Sequence, residues 1–253
     1  MDEINEERCP DCRGTGFSII SVDGGTRARP CRCRRPTRSA SALETFLQKA
    51  RVPRRYWECE FDNFDAHGPH AFSLSNAKAR AMRYAEEYPL DDRGLLLMGP
   101  PGAGKTHLSV STLRRLMVEK GVPCLFCDVQ DLLRGLQSTF DRQSGLTELD
   151  LLQPLLTTEV VLLDDLGGRQ FSPWVEETLA HIITKRYNDK KATLVTTNYL
   201  DQASKRQVPT LKDRIGPRVR SRLHEMCHLV LVEANDFRSE IKLADHHPLT
   251  GLP

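Results

Sequence analysis

The sequence predicts a doubly wound α/β domain, a parallel five-stranded sheet flanked by helices. Three observations carry this. Short apolar runs of strand length alternate with longer segments whose apolar residues recur at helical spacing. One run, Leu95–Met98, leads into a glycine-rich turn, Gly99-Pro100-Pro101-Gly102-Ala103-Gly104-Lys105-Thr106, which opens a helix. Another, Val160-Val161-Leu162-Leu163, ends in two carboxylates, Asp164 and Asp165. A length of 253 residues suits one medium domain with a small appendage. A net charge of +2 does not by itself imply nucleic acid. The acidic, polar start and the lack of a membrane-length apolar run predict a cytoplasmic protein. In that compartment eight cysteines argue for metal or buried thiols rather than disulfides.

Residues 1–40 differ in composition from the rest. Cys9-Pro10-Asp11-Cys12 and Cys31-Arg32-Cys33 bracket a turn-rich, hairpin-like stretch. Two close thiol pairs suit tetrahedral Zn²⁺, and a metal would stabilise a segment with too little apolar material to fold alone. Arg27, Arg29, Arg32, Arg34, Arg35 and Arg38 surround the second pair. They balance the thiolate charge, contact phosphates, or meet an acidic protein surface.

Residues 41–70 are expected to dock this module to the core. Leu43, Phe46, Leu47 and Ala50 share a helical face that Val52-Pro53 ends. Tyr56, Trp57, Phe61 and Phe64 then pack the linker, one of them either flanking an adenine ring or serving as plain core. The main domain spans 71–240. Ala77, Ala81, Tyr84, Ala85 and Tyr88 predict a helix over 74–88. The helix after the glycine-rich turn runs to about Glu119 and stops near Gly121. Cys124–Asp128 is a strand, so Cys124 and Cys127 point to opposite faces as core residues. Helices follow over 129–140, containing Arg134 and Phe140, and around Leu149–Leu156. Ser172 caps a helix with Pro173 in its first turn, continuing to about Asn188. Ala192–Thr197 is a buried strand with Asn198 at its end, and His228–Glu233 is the last strand. Between them Arg206, Arg214, Arg218, Arg220 and Arg222 crowd the chain, and the last three, two apart, cannot share one helix face. An outward arginine there completes a neighbour's site or belongs to a basic or DNA-facing surface. Residues 241–253 form a flexible tail.

The chemistry follows from these positions. Gly99, Gly102 and Gly104 let the backbone wrap a polyphosphate with its N–H groups turned inward, aided by the helix N-terminus. Lys105 reaches the β- and γ-phosphates, and Thr106 offers a hydroxyl to Mg²⁺. Asp164, at a strand's carboxyl end, faces Thr106 to hold that ion. Asp165 orients or deprotonates the attacking water, and Asn198 bonds the γ-phosphate or that water.

This set of motifs resembles the AAA+ ATPases, and within them the DnaC/IstB group that includes bacterial helicase loaders. The residues are Gly99–Leu108 (GPPGAGKTHL), Val161–Gly167 (VLLDDLG), Thr196–Asn198 (TTN) and Asp213 to Arg238 (DRIG…SRLHEMC…NDFR). The resemblance implies an AAA+ (ASCE-type) P-loop fold behind a small Cys-rich zinc-binding N-terminal module. It implies ATP bound by residues 99–106, with His107 and, as sensor 2, Arg238. Lys105 and Thr106 match Walker A, and Asp164 and Asp165 match Walker B. Asp165 stands where many relatives carry the longer Glu, which implies slow, switch-like hydrolysis. Asn198 matches sensor 1, and Arg222 in Ser-Arg-Leu matches the arginine finger, with Arg214, Arg218 and Arg220 as rivals. Mg²⁺ on Thr106 and Asp164 and Zn²⁺ on Cys9, Cys12, Cys31 and Cys33 complete the cofactors. The implied function is ATP-dependent loading of a DnaB-type replicative helicase onto single-stranded DNA by an ATP-dependent homo-oligomer, with Arg134 and Phe140 near the DNA path. The alternative is an IstB-like transposition helper acting with a transposase.

Overall fold

The computed structural model describes residues 17–22, 25–30, 40–139, 145, 147–168, 172–202, 208–237 and 239. Strands β1 (Phe17–Val22) and β2 (Gly25–Pro30) form an antiparallel hairpin, paired from Phe17 with Pro30 to Val22 with Gly25. The hairpin expected between the two cysteine pairs is therefore present. The four cysteines themselves lie outside the described residues, as do Phe140, Arg206 and Arg238.

Five parallel strands follow: β3 (Gly94–Met98), β4 (Cys124–Asp128), β5 (Val160–Asp164), β6 (Thr193–Thr197) and β7 (Cys227–Leu231). Their order is β4-β5-β6-β3-β7, so the chain crosses from one side of β3 to the other. The strands alternate between two cores, as pleating requires. Leu95 and Leu97 of β3, with Val160 and Leu162 of β5, face α1 (Ala40–Lys49), α2 (Ala71–Glu87) and α3 (Lys105–Lys120). Leu96 and Met98, with Val161 and Leu163, face α4 (Val129–Ser138), α5 (Glu148–Thr157), α6 (Pro173–Asn188) and α7 (Leu211–Met226). Strands buried on both faces read as continuous apolar runs, which is why they were legible.

Leu47, Ala50, Phe61 and Phe64 enter the first core, and the Phe126 N–H donates to the Ala50 carbonyl at 2.7 Å. Cys124 sits in the first core and Cys127 packs on the second, both as free thiols. Burial pushes the Cys127 thiol up to about 12 and the Cys124 thiol further still, so neither is a thiolate at neutral pH.

The helix ends follow local chemistry. Ser172 caps α6 ahead of Pro173, and the Asp128 carboxylate accepts from the Gln130 and Asp131 N–H groups at the start of α4. The arginine-dense stretch is helical: α7 opens on a capping box between Thr210 and Asp213 and kinks at Gly216, whose φ is 77°. Gly216 precedes Pro217, and the ring of a proline disfavours helical geometry in the residue before it. A Cβ on Gly216 would also meet Glu176 Oε1 at 1.8 Å.

Two polar devices hold the layers. Arg186 of α6 is 0% exposed and uses all five of its N–H donors. They reach the carbonyls of Leu155, Thr158, Glu159 and Ala192 and the Thr193 hydroxyl, tying α5, α6 and the entries to β5 and β6 together. At the sheet edge, Arg80 donates to the Leu229 carbonyl at 3.0 Å, and the Ser73 hydroxyl accepts from the Glu233 N–H at 2.9 Å. Both come from α2 and cover the open side of β7.

Candidate nucleotide site

The glycine-rich turn joins β3 to α3 at the carboxyl edge of the sheet. Gly102 and Gly104 adopt φ of 75° and 85°, where a side chain is strained. Gly99 is constrained by space instead: a Cβ there would lie 1.9 Å from the Val232 carbonyl. A Cβ on Gly104 would sit 2.5 Å from the buried ring of Phe64. We therefore expect Gly104→Ala to destabilise the domain by about 2 kcal/mol, from left-handed strain plus overpacking. Urea denaturation checks this; an unchanged midpoint would mean that the turn tolerates a side chain.

Lys105 is 7% exposed, and its ammonium donates to the carbonyls of Gly99 (2.9 Å) and Pro100 (2.7 Å) and to Asn198 Oδ1 (2.8 Å). The other end of the Asn198 amide donates to Asp165 Oδ1 at 2.8 Å. A chain of three polar groups thus runs from the phosphate loop through the end of β6 to the carboxylate after β5. Asp165 adopts a φ of 56°, uncommon for a residue with a side chain, and its N–H donates to Thr196 Oγ1 at 2.9 Å. Thr106 donates to Asp164 Oδ1 at 2.9 Å, and Thr196 donates to the same oxygen at 2.6 Å. Burial raises the Asp164 pKa, partly opposed by these two hydroxyl bonds. A buried carboxylate whose described partners are hydroxyls, next to a threonine hydroxyl, is an oxygen donor set suited to a hard cation such as Mg²⁺.

Beside the loop lies a cleft lined by Asn63, Phe64, Asp65, His70, Gly102–Gly104 and Phe237. His107 also lines it, and its Nε2 contacts the Glu60 carbonyl at 2.8 Å while its ring meets Phe64 edge-on. Burial lowers the His107 pKa, so it is neutral at pH 7. The cleft thus opens directly beside the glycine-rich turn, with aromatic and imidazole rings in its lining.

The structure brings together Gly99 to Thr106, Asp164, Asp165 and Asn198. Two neighbours of the site lie in the quoted TTN and NDFR motifs but were given no role from sequence: Thr196, which braces both carboxylate positions, and Asp236, whose Oδ1 lies 1.9 Å from where a Gly102 Cβ would stand. Thr196 was within reach, since it alternates with Asn198 at the end of a strand. The arginines of α7 separate. Arg220 forms a two-pronged pair with Asp201, which also meets His224 at 3.1 Å. Arg214 stacks its guanidinium 4.5 Å from the Tyr199 ring centroid and packs its stem on Gly167. Arg218 is exposed and Arg222 half-buried. Arg134 is exposed and paired with Asp131 at 2.5 Å. Among the described residues no cluster of His, Cys, Asp and Glu could hold a metal by itself, and no helix is long and apolar enough to cross a membrane.

The chain is similar to known ATP binding proteins and helicase loaders. The family model described as IstB-like ATP binding protein matches residues 38–244. A replicative helicase loader DnaC of Buchnera aphidicola subsp. Acyrthosiphon pisum is 28% identical over 184 residues, 73% of this chain and 70% of that one. The replicative helicase loader DnaC of Escherichia coli K12 is 25% identical over 159 residues, 63% of each chain. A crystal structure of the DnaC helicase loader is 34% identical and superposes with a TM-score of 0.61, covering 71% of this chain and 99% of that one.

Proposed function

Because the chain belongs to the IstB-like ATP binding protein family, whose model matches residues 38–244, we propose that it is an ATP-dependent loader of the replicative helicase onto single-stranded DNA. The observation that carries this reading is the likeness to DnaC, 34% identical across 99% of a solved helicase loader. The same reading makes residues 1–40 a zinc module that grips the helicase, with Cys9, Cys12, Cys31 and Cys33 as ligands, and makes the ATP-bound protein a homo-oligomer.

In this mechanism the loop N–H groups and the α3 N-terminus hold the triphosphate. Lys105 turns from the Gly99 and Pro100 carbonyls to the β- and γ-phosphates. Thr106 and Asp164 would hold Mg²⁺, which neutralises charge on the phosphate oxygens. Asp165 accepts the proton of the attacking water. Asn198, bonded to both Lys105 and Asp165, reports the presence of the γ-phosphate to the carboxylate. Arg222 serves as the finger toward a neighbouring subunit, because Arg220 is already engaged by Asp201. Arg238 supplies a sensor contact. Hydrolysis then acts as a switch that releases the helicase.

A second and weaker reading, with which the IstB-like family match is consistent, is a transposition helper working with a transposase. The test is co-elution of the full-length protein with the replicative helicase of the same cell, with ATP and magnesium. We expect a complex that the double variant Cys9→Ser with Cys31→Ser weakens at least 10-fold, with loss of bound zinc. Absence of a complex from an ATP-binding preparation would sink the loader reading in favour of the transposition helper.

A further inference from the structure

His107 is the third residue of α3, so the helix that follows the glycine-rich turn also carries this ring. Its Nε2 meets the Glu60 carbonyl at 2.8 Å, and a carbonyl only accepts, so Nε2 carries the hydrogen. Burial, partly opposed by that bond and aided by the nearby Lys78 ammonium, holds the ring below the usual histidine range and so neutral. A neutral imidazole has one N–H, and this one is spent on Glu60. Nδ1 is therefore a bare acceptor. It has no hydrogen-bond partner among the described residues, and it is not sealed in the interior as the Tyr84 hydroxyl is. The ring is half-buried and lines the cleft beside the turn, so the part left open is the part turned to that cleft. Phe64 meets it edge-on at 5.3 Å between centroids and, with the Glu60 bond, fixes its orientation. Leu74, Ala234 and Phe237 give the same cleft apolar walls. The Asn63 amide, also on the cleft, is already used: it donates to the Glu58 carbonyl and accepts from the Glu60 N–H.

We propose that His107 selects the base of the bound nucleotide: Nδ1 accepts a hydrogen bond from the amino group at position 6 of adenine and rejects the oxygen that guanine and hypoxanthine carry there. The proposal rests on the nucleotide-binding reading given above and adds the base that the site prefers. An amino group supplies the donor that Nδ1 lacks. A 6-oxo group sets one lone pair against another and leaves Nδ1 shielded from water without a donor. The ring is anchored at its other nitrogen to the linker, so the base meets a fixed wall rather than a mobile side chain. A second side-chain acceptor on the cleft, the Asp65 carboxylate, is exposed and holds His67. Water competes freely for an exposed carboxylate, so it discriminates less.

The experiment measures the affinity of the full-length protein for three triphosphates by competition with a fluorescent nucleotide. They are ATP, purine riboside triphosphate with hydrogen at position 6, and inosine triphosphate with oxygen there. Wild type should bind ATP about 10-fold more tightly than the purine analogue and about 100-fold more tightly than inosine triphosphate. In His107→Leu all three should bind within about 3-fold of one another, with ATP falling and inosine triphosphate rising toward the level of the purine analogue. His107→Gln, which keeps a donor and an acceptor, should recover part of the preference. Asp65→Asn should keep the wild-type order. A merely structural histidine would lower all three affinities together and leave their ratios unchanged. Equal binding of ATP and the purine analogue by wild type overturns the proposal without any variant having to fold. Wild-type ratios in His107→Leu also overturn it, as does a preference lost in Asp65→Asn but kept in His107→Leu. If wild type binds none of the triphosphates, the nucleotide reading itself has failed and the proposal falls with it.

Discussion

Lys105→Ala weakens ATP binding at least 100-fold and abolishes detectable turnover. The ammonium is buried in a turn that offers it carbonyls and one amide oxygen at 2.7–2.9 Å. Those three oxygens are neutral, and an entering triphosphate offers the same ammonium anionic oxygens. Charge-assisted hydrogen bonds contribute about 1.5–3 kcal/mol each, and two phosphate contacts at that strength correspond to 100-fold or more. Alanine also removes the donor to Asn198 Oδ1, so Asn198 keeps its bond to Asp165 but loses its link to the phosphate loop. Calorimetric titration with ATP and with ADP checks both parts: ATP affinity should fall further than ADP affinity. Equal ATP affinity in wild type and variant would mean that the turn does not bind phosphate.

The largest effect on stability is expected at Arg186. Replacement by methionine should destabilise the protein by about 3–5 kcal/mol, as for removal of a fully bonded buried charge. The guanidinium is 0% exposed, and burial pushes its pKa down to about 10, so it remains charged at pH 7. Its five bonds go to four carbonyls and a hydroxyl in two stretches of chain, Leu155 to Glu159 and Ala192-Thr193. Methionine fills the volume but strands those acceptors in the interior, where water cannot replace the donor. Lysine, with three donors on a point charge, should recover less than half of the loss. Chemical denaturation measures both; a Met variant within 1 kcal/mol of wild type would show that the helix and strand entries find other partners.

These two residues mark the range of what a linear reading reveals. Lys105 was legible because phosphate binding demands a contiguous turn, and contiguity is what sequence displays. The strands were legible because both faces are buried. Arg186 was not singled out, since a Lys-Arg pair late in a helix looks like a solvated end. Its spacing of three and four from Ile183 and Ile182, both 0% exposed, places it on the apolar face, and that periodicity was the available signal. The α7 arginines were ambiguous for a different reason. Arg220 is assigned by Asp201, nineteen residues away through a loop, and no spacing rule connects them. The helix itself was hidden by Gly216-Pro217, although Thr210 and Asp213 announced its start.

The bonds from α2 to β7 have a consequence for life at high local concentration. An edge strand with open carbonyls and N–H groups is a template on which another chain can add a strand. Here the apolar side chains Leu229 and Leu231 are exposed on that edge, which would make a stray pairing adhesive. Arg80 occupies the Leu229 carbonyl, and Ser73 occupies the N–H of Glu233 just past the strand. The register a foreign strand would need is therefore already taken, and the cationic Arg80 stands in its path. At this edge, crowded copies are hindered from adding strand to strand, which leaves side-chain surfaces, rather than the β7 backbone, to decide how they meet there.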